Sequence, residues 1–260
     1  MTEVNQELLP GARRMFDLAL EHCGACQDYH GLRGYFLATK TVFGALSGAV
    51  QLRSVLAGLA PGRPRVLIAG SADSGLLRLV SESYEAQPLQ ATIVDLCNTP
   101  LKLCEEFAAE RKIEATCVCG DLVTFTSPHP LDLIFGHLVL GFMTSQQRAL
   151  TLQSWVRSLA SGGKLVLASH LNSDGKGVQR IEKLLDATQN GFPFDIPEPA
   201  AQFRARMRRY IDEKKQLQKV RTSLTELIEE LEQVGFSVEN LKLQPEPTGF
   251  PVSILVCSKR

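Results

Sequence analysis

The segment from Arg65 to Gly75 constrains the fold of this chain more than any other. It reads Arg-Val-Leu-Ile-Ala-Gly-Ser-Ala-Asp-Ser-Gly, so an apolar run at residues 66–69 is stopped by Gly70. An apolar run this short is typical of a buried parallel strand and is too short for a helix. Helical spacing starts at Gly75. The segment therefore predicts a strand, a tight loop and a helix, with backbone N–H groups available to a ligand at the strand's carboxyl end.

The loop contains a degenerate nucleotide-binding motif. Gly70-x-Ala72-x-x-Gly75 matches G-x-G-x-x-G except at its second position, and turns of this kind also occur for purely structural reasons. A second β-rich run, residues 91–95, ends at Asp95. A carboxylate at that position can accept hydrogen bonds from both hydroxyls of a ribose, although a strand-end aspartate can equally form a turn or cap a helix.

Strand and helix patterns alternate through the middle of the chain. The predicted strands are residues 65–69, 91–95, 115–119, 131–135 and 163–168, and the predicted helices between them are residues 75–84, 100–112 and 145–160. A helix at 223–234 and two strands at 236–243 and 252–257 close the chain. Alternation of this kind predicts an α/β fold with a doubly wound sheet, whose ligand crevice lies at the carboxyl ends of the parallel strands.

These pieces, in this order, resemble the class I S-adenosylmethionine-dependent methyltransferases. The resemblance rests on the loop at 69–75, on Asp95, on Gly120-Asp121-Leu122, on the fourth strand and on the segment 159–167. It implies a seven-stranded sheet with an antiparallel C-terminal hairpin, S-adenosyl-L-methionine as cofactor, and methyl transfer as the reaction. The residues that it assigns to the cofactor are Gly70, Ser71, Ala72, Asp73, Gly75, Asp95, Leu96, Gly120, Asp121, Leu122 and Gly136.

The chain departs from this family at one position. The acidic residue that is usual two positions before the first glycine is Ile68 here. The expected contact to the methionyl ammonium is therefore missing from the strand, unless Asp73 in the loop supplies the carboxylate.

The acceptor is expected at the end of the fourth strand, where Gly136-His137 begins a new loop. An imidazole has an unperturbed pKa of about 6.5, which suits proton transfer near neutrality. We therefore name His137 as the catalytic candidate, with substrate hydrogen bonding or a purely structural role in the loop as alternatives. His170, just after the fifth strand, points to the same edge and is a candidate for binding substrate.

Residues 1–62 are predicted to form an N-terminal helical cap, and residues 63–260 a Rossmann-like core with a helical insertion at 171–217. The cap carries a polar-aromatic cluster at residues 22–36 that includes a Cys-x-x-Cys motif between His22 and His30. A structural zinc site needs four ligands in tetrahedral geometry, and the two histidines could complete it only if the backbone turned sharply. We therefore predict no metal, and the cluster lines a substrate pocket or only packs the cap. The cap residues assigned to substrate are Tyr29, His30, Arg33 and Tyr35.

The insertion contains a basic helix, Phe203-Arg-Ala-Arg-Met-Arg-Arg-Tyr210. It has no interleaved aromatics of the kind that stack on bases, so a solvated face is favoured over nucleic-acid binding. Phe203 and Tyr210 have the spacing of one helix face, and we expect them to pack on the core or to contact substrate.

Composition excludes several functional classes. The 28 basic and 28 acidic residues cancel, so no global field attracts nucleic acid or an anionic membrane. No run of eighteen apolar residues could span a bilayer, and the polar N-terminus is unlike a signal peptide. An odd count of seven cysteines argues against a disulfide framework. These observations predict a cytoplasmic protein in which Cys97, Cys104, Cys117 and Cys119 are reduced and act as small buried hydrophobic residues.

The leading hypothesis is an S-adenosylmethionine-dependent methyltransferase that acts on a small acceptor, heterocyclic or aromatic in type. In-line displacement at a sulfonium methyl depends on positioning and water exclusion more than on an elaborate catalytic set. One alternative is an NAD(P)-binding Rossmann oxidoreductase, which the degenerate loop allows. The other is a methyltransferase-like binding module without turnover, motivated by Ile68 and Ala72.

Overall fold

The computed structural model describes residues 3–42, 49–59, 62–84, 88–170, 176–218, 223–242 and 252–260. They form two compact units. The helical unit is drawn from Met1–Gly44 and Asn172–Arg221, and the sheet unit from Ala45–Leu171 and Thr222–Arg260. The longer helices are α1 (Leu9–His22), α2 (Gln27–Ala38), α3 (Ala49–Ala57), α4 (Gly75–Ser83), α5 (Asn98–Arg111), α6 (Ser145–Ser158), α7 (Lys176–Ala187), α8 (Ala200–Gln218) and α9 (Leu224–Gln233).

The sheet unit is built on seven strands. They are β1 (Arg65–Ala69), β2 (Gln90–Asp95), β3 (Glu114–Cys119), β4 (Leu131–His137), β5 (Leu159–His170), β6 (Phe236–Lys242) and β7 (Val252–Lys259). Their spatial order is β3-β2-β1-β4-β5-β7-β6. The first five strands are parallel, and β7 runs antiparallel to both β5 and β6. The predicted doubly wound sheet with an antiparallel C-terminal hairpin is confirmed, and the strand order reverses between β1 and β4, where ligands bind in such sheets.

Alternate residues of β1 face two different apolar layers. Val66 and Ile68 belong to the layer that includes residues of α3, α4 and α5, whereas Leu67 and Ala69 belong to the layer that includes residues of α6 and α9. Successive side chains of a strand point to opposite faces. A strand covered on both faces therefore has the continuous apolar run seen in the sequence.

Helix α3 belongs to the sheet unit, although the sequence places residues 1–62 in the cap. Leu52 and Leu56 are buried in the sheet unit's core together with residues of α4. The Tyr84 hydroxyl also donates a hydrogen bond of 2.7 Å to the Leu56 carbonyl. This long-range packing, which local sequence does not reveal, accounts for the difference between the predicted boundary and the observed grouping.

The helical unit combines the N-terminal helices with the insertion. A short 3-10 helix at Gln6–Leu8 precedes α1, and α1, α2, α7 and α8 share one apolar core. The rings of Tyr35 and Phe203 lie edge to face, with centroids 5.2 Å apart.

Gly34 lets α1 and α2 approach closely. A Cβ added to Gly34 would lie 2.5 Å from Cα of Ala12. We expect Gly34→Ala to lower the free energy of unfolding by about 1–2 kcal/mol, because overpacking costs about 1–3 kcal/mol and exceeds the gain of up to about 1 kcal/mol from alanine's helix propensity. Urea unfolding followed by circular dichroism measures this change.

The matched control for this prediction is Gly11→Ala, on α1. A Cβ at Gly11 meets nothing within 4 Å, so only the propensity gain applies and the free energy of unfolding should rise. Equal effects of the two substitutions would show that α1 and α2 are not in close contact at Gly34.

The structure shows which of the cysteines are buried. Cys97 and Cys104 are buried as expected, but Cys119 is exposed, so the prediction that it is a buried hydrophobic residue is wrong. Cys119 belongs to β3, which is an edge strand of the sheet, and alternate side chains of this strand are exposed to solvent. Burial raises the pKa of the half-buried Cys117 thiol to about 11.

Among the described helices, none combines the length and the apolar character that a transmembrane span requires.

Candidate cofactor-binding site

The loop after β1 begins with a backbone conformation that favours glycine. Gly70 has φ +72°, in the left-handed region that costs other residues about 1–2 kcal/mol. A Cβ at Gly70 would also lie 2.7 Å from Cγ2 of Val139. The Gly70 N–H donates to the Val94 carbonyl at 2.8 Å. Glycine is therefore required here both by its dihedral angle and by the space available.

Asp95 ends β2 and holds this loop in place. Its Oδ2 accepts a hydrogen bond of 2.9 Å from the Ser71 N–H, and its Oδ1 accepts one of 2.8 Å from the Cys97 N–H. A carboxylate offers about four lone-pair positions, so these two bonds do not exhaust its capacity. The ends of β1 and β2 are thus joined through a side chain that can also accept ligand hydroxyls.

The rest of the loop is tied by short-range hydrogen bonds. Asp73 Oδ1 accepts the Gly75 N–H at 2.7 Å, at the start of α4, and the Ser71 hydroxyl donates to the Asp73 carbonyl at 2.5 Å. Ile68 is buried in the core, so β1 presents no carboxylate where the methyltransferase family has one. Asp73 is the acidic residue of the segment 69–75, and the N-terminus of α4 lies beside it.

The third strand end lies beside the second. The Gly120 N–H donates to the Asp95 carbonyl at 2.9 Å, and Asp121 Oδ1 accepts the Val123 N–H at 2.9 Å. Leu122 is buried in the core of the sheet unit, whereas Leu96 is 74% exposed. The predicted cofactor residues therefore meet along one edge, with Leu122 contributing its side chain to the core.

The end of β4 completes the edge. Gly136 pairs with Ala69 of β1, and a Cβ there would lie 3.0 Å from Cδ2 of Leu167. His137 is half-buried and pairs with Ala168 of β5. The next residue, Leu138, has φ +61°, and its N–H bonds to the Ala168 carbonyl. Left-handed non-glycine residues are costly and concentrate at functional sites.

Sequence reasoning missed the 3-10 turn Val139–Phe142. Val139 limits the space at both Gly70 and Gly136, since a Cβ at Gly136 would lie 3.3 Å from Cγ1 of Val139. Phe142 is largely exposed. The sequence gives no signal that Val139 packs against Gly70, because the two residues are far apart in the chain.

The structure gathers most of the predicted substrate residues in the helical unit. Tyr35, Phe203, Tyr210 and His30 are buried, and Tyr29 and Arg33 are half-buried. The Tyr29 and Tyr210 rings stack with centroids 6.1 Å apart. Burial raises the pKa of Tyr35 to about 12 and raises that of Tyr210 further. Packing accounts for the buried members, and the His170 side chain lies outside the described part.

Two arginines of the basic helix α8 form ion pairs with carboxylates of the helical unit. Arg206 forms ion pairs with Asp28 at 2.7 Å and with Glu198 at 2.8 Å, and Arg209 pairs with Asp28 at 2.6 Å. Charges paired in this way are not available to phosphates. The contacts favour a structural role for these arginines over nucleic-acid binding.

Comparisons with known proteins agree with this arrangement. Residues 70–167 match the family described as "Methyltransferase domain". No curated protein matches the sequence significantly. Because 70–167 spans the glycine loop, Asp95, Gly120 and His137, the matched region contains the whole edge described above.

Solved structures of methyltransferases have the same fold. The N-methyltransferase NodS from Bradyrhizobium japonicum WM9 superposes with a TM-score of 0.55 at 14% identity, over 81% of this chain and 93% of that one. A TehB-like S-adenosylmethionine-dependent methyltransferase from Corynebacterium glutamicum gives 0.53 at 17% identity, over 91% and 100%. Magnesium protoporphyrin IX methyltransferase from Synechocystis PCC 6803, with bound S-adenosylhomocysteine, gives 0.53 at 15% identity, over 85% and 87%.

The two alternative functions are not supported. The antiparallel β7 differs from the sixth parallel strand that we expect of an NAD(P)-dependent oxidoreductase. The departures at Ile68 and Ala72 leave the edge described above in place. Residues 70–167 therefore match a methyltransferase domain, and the chain has the fold of solved S-adenosylmethionine-dependent methyltransferases.

Proposed function

We propose that this chain methylates a small-molecule acceptor and holds S-adenosylmethionine at the edge formed by the segment 70–75 and Asp95. The observation that supports this most strongly is the hydrogen bond of 2.9 Å from the Ser71 N–H to Asp95. It fixes a carboxylate suited to a ribose beside a backbone that a Cβ at Gly70 would obstruct.

Within this site the residues have separate roles. Asp95 accepts the ribose hydroxyls, Leu96 offers an exposed apolar surface to the adenine, and Gly120 and Asp121 flank that base. Asp73 supplies the carboxylate for the methionyl ammonium, since Ile68 cannot. One of its oxygens is bound to the Gly75 N–H, which orients the carboxylate at the start of α4.

When bound, S-adenosylmethionine supplies a methyl group on a positively charged sulfur, which an acceptor nucleophile displaces in line. The chain's own contribution is mainly to orient the acceptor and to exclude water. His137 lies at the end of β4, next to the strained Leu138. It accepts the proton that an N–H or O–H acceptor loses as its bond to carbon forms.

Three observations favour a small acceptor. The net charge is zero, Arg206 and Arg209 of α8 are paired with a carboxylate, and proteins of similar fold include magnesium protoporphyrin IX methyltransferase and the pyocyanin biosynthetic protein PhzM. The proposed acceptor is heterocyclic or aromatic. The contacts that we predict between the protein and this acceptor stay predictions; they involve Tyr29, His30, Arg33, Tyr35, His170, Phe203 and Tyr210.

The substrate class is tested by following a labelled methyl group. The wild-type protein is incubated with methyl-labelled S-adenosylmethionine and a cell extract, which is then separated into small molecules, nucleic acid and protein. We expect enzyme-dependent label in the small-molecule fraction, and much less with Asp95→Ala when S-adenosylmethionine is kept below the variant's dissociation constant. Label confined to nucleic acid or protein would contradict a small acceptor.

His137→Gln tests the proposed base. General base catalysis contributes about 10²- to 10⁴-fold, so we expect kcat to fall by at least about 10²-fold while the affinity for S-adenosylhomocysteine stays the same. Steady-state rates with the identified acceptor measure kcat, and isothermal titration calorimetry measures the affinity for S-adenosylhomocysteine.

The matched control is His129→Gln. His129 is exposed in the loop before β4, and its backbone N–H bonds to the Ser127 hydroxyl. Its replacement should leave kcat unchanged. If His137→Gln behaved like this control, His137 would serve only the loop.

A further inference from the structure

Three soft metal-binding groups meet at the turn between α1 and α2. Cys23 follows the last residue of α1, Cys26 precedes the first residue of α2, and His30 lies one turn into α2. The His30 N–H bonds to the Cys26 carbonyl at 3.1 Å. The two sulfurs and a ring nitrogen of His30 lie within 4.8 Å of one another. The spacing Cys-x2-Cys-x3-His thus becomes a cluster of side chains.

The size of this cluster suits a tetrahedral metal. Zinc binds thiolate sulfur at about 2.3 Å and imidazole nitrogen at about 2.0–2.1 Å, so its ligand atoms are about 3.5–3.8 Å apart in a tetrahedral site. Small rotations of the two half-buried thiols bridge the difference from 4.8 Å. The turn itself needs no rearrangement.

His30 provides a second, independent observation. It is only 4% exposed, and its Nδ1 is buried with no hydrogen-bond partner among the residues that the structure describes. Buried polar atoms are normally paired, and an orphaned one is unfavourable. The Tyr29 ring packs edge to face on the imidazole, with centroids 4.8 Å apart, and so limits its rotation. Metal coordination would satisfy the nitrogen.

We propose that Cys23, Cys26 and His30 bind a zinc ion that joins α1 to α2. Two thiolates and an imidazole favour zinc over calcium or magnesium, which prefer oxygen ligands. Water or another donor completes the coordination, and binding releases the thiol protons to solvent. From the sequence no metal is expected, because a site here requires a sharp backbone turn; the turn between α1 and α2 is of that kind. His22 is not part of the cluster.

Metal content and cobalt substitution test the proposal on the full chain without a polyhistidine tag. We expect one zinc per chain after gel filtration in a thiol-free reductant, and a thiolate-to-cobalt charge-transfer band when Co²⁺ is added to the metal-free protein. Cys26→Ser and His30→Gln should weaken Co²⁺ binding by more than the roughly 10–100-fold that loss of an outer-shell partner costs. Cys119→Ser and His22→Gln are matched controls that should bind Co²⁺ as the wild type does.

A measurement on the wild type avoids dependence on the folding of the variants. Bound zinc should slow the alkylation of Cys23 and Cys26 by iodoacetamide at least about tenfold, as mapped by mass spectrometry, and should leave the exposed Cys119 unchanged. Absence of the cobalt band in reduced protein, its persistence in Cys26→Ser, or equal alkylation with and without zinc would each overturn the proposal. A disulfide between Cys23 and Cys26 that persists in the presence of the reductant would also overturn it.

Discussion

Replacing Asp95 with alanine is expected to weaken the binding of S-adenosylhomocysteine by about 5- to 150-fold. The substitution removes charge-assisted hydrogen bonds to the ribose that are worth about 1–3 kcal/mol. It also removes the acceptor of the Ser71 and Cys97 N–H groups, so the loop loses its attachment to β2. Isothermal titration calorimetry measures the dissociation constant, and thermal unfolding without ligand measures the structural part of the effect.

Asp132→Ala is the matched control for this prediction. Asp132 likewise accepts a backbone hydrogen bond in the sheet unit, from the Arg65 N–H at 2.8 Å, but it lies near the beginning of β4 and away from the carboxyl edge. Its loss should lower stability without changing the dissociation constant. An unchanged dissociation constant in Asp95→Ala would mean that the ribose binds elsewhere.

Gly70→Ala should damage both stability and cofactor binding. The left-handed backbone costs about 1–2 kcal/mol, and the collision of the new Cβ with Val139 adds an overpacking cost of about 1–3 kcal/mol. We expect the free energy of unfolding to fall by about 2–5 kcal/mol and the affinity for S-adenosylhomocysteine to fall more than about tenfold, because the loop must move. Urea unfolding and calorimetry report the two effects.

Two further variants separate the causes. Gly162 also has a left-handed backbone, φ +79°, but a Cβ there would meet nothing within 4 Å, so Gly162→Ala carries only the dihedral cost. Val139→Ala in the Gly70→Ala background removes the methyl group that the new Cβ would strike and should restore part of the stability. If Gly70→Ala cost no more than Gly162→Ala, the close approach of Val139 would be refuted.

Local sequence was sufficient to predict the bounds of an element where a residue that disrupts regular secondary structure, such as glycine, ends it. Strand β1 has the predicted residues because its apolar run stops at Gly70. It was insufficient where tertiary contacts set the boundary. The strand predicted at residues 163–168 begins earlier, at Leu159, and shifts register against β4 between Leu131 and Leu133. The helix predicted at residues 100–112 likewise begins earlier, at Asn98, with Cys97 as its cap.

The site, too, contains residues that the sequence could predict and residues that it could not. Gly70 and Asp95 could be predicted because glycine conformation and strand-end carboxylates leave a local signal. Val139 could not, since its role depends on contact across the switch point. Buried aromatic residues such as Tyr35 and Phe203 have the same sequence pattern in a core as in a pocket, so sequence alone could not separate the two. The grouping of the insertion with the N-terminal helices likewise depends on long-range packing.

A crystal structure of the S-adenosylhomocysteine complex tests the central claim most directly. We predict that both ribose hydroxyls lie within about 2.5–3.0 Å of the Asp95 carboxylate oxygens, with the adenosyl group against the bare backbone at Gly70. A ribose bound away from Asp95, or a ligand kept from the Gly70 loop by the chain's own side chains, would contradict the account.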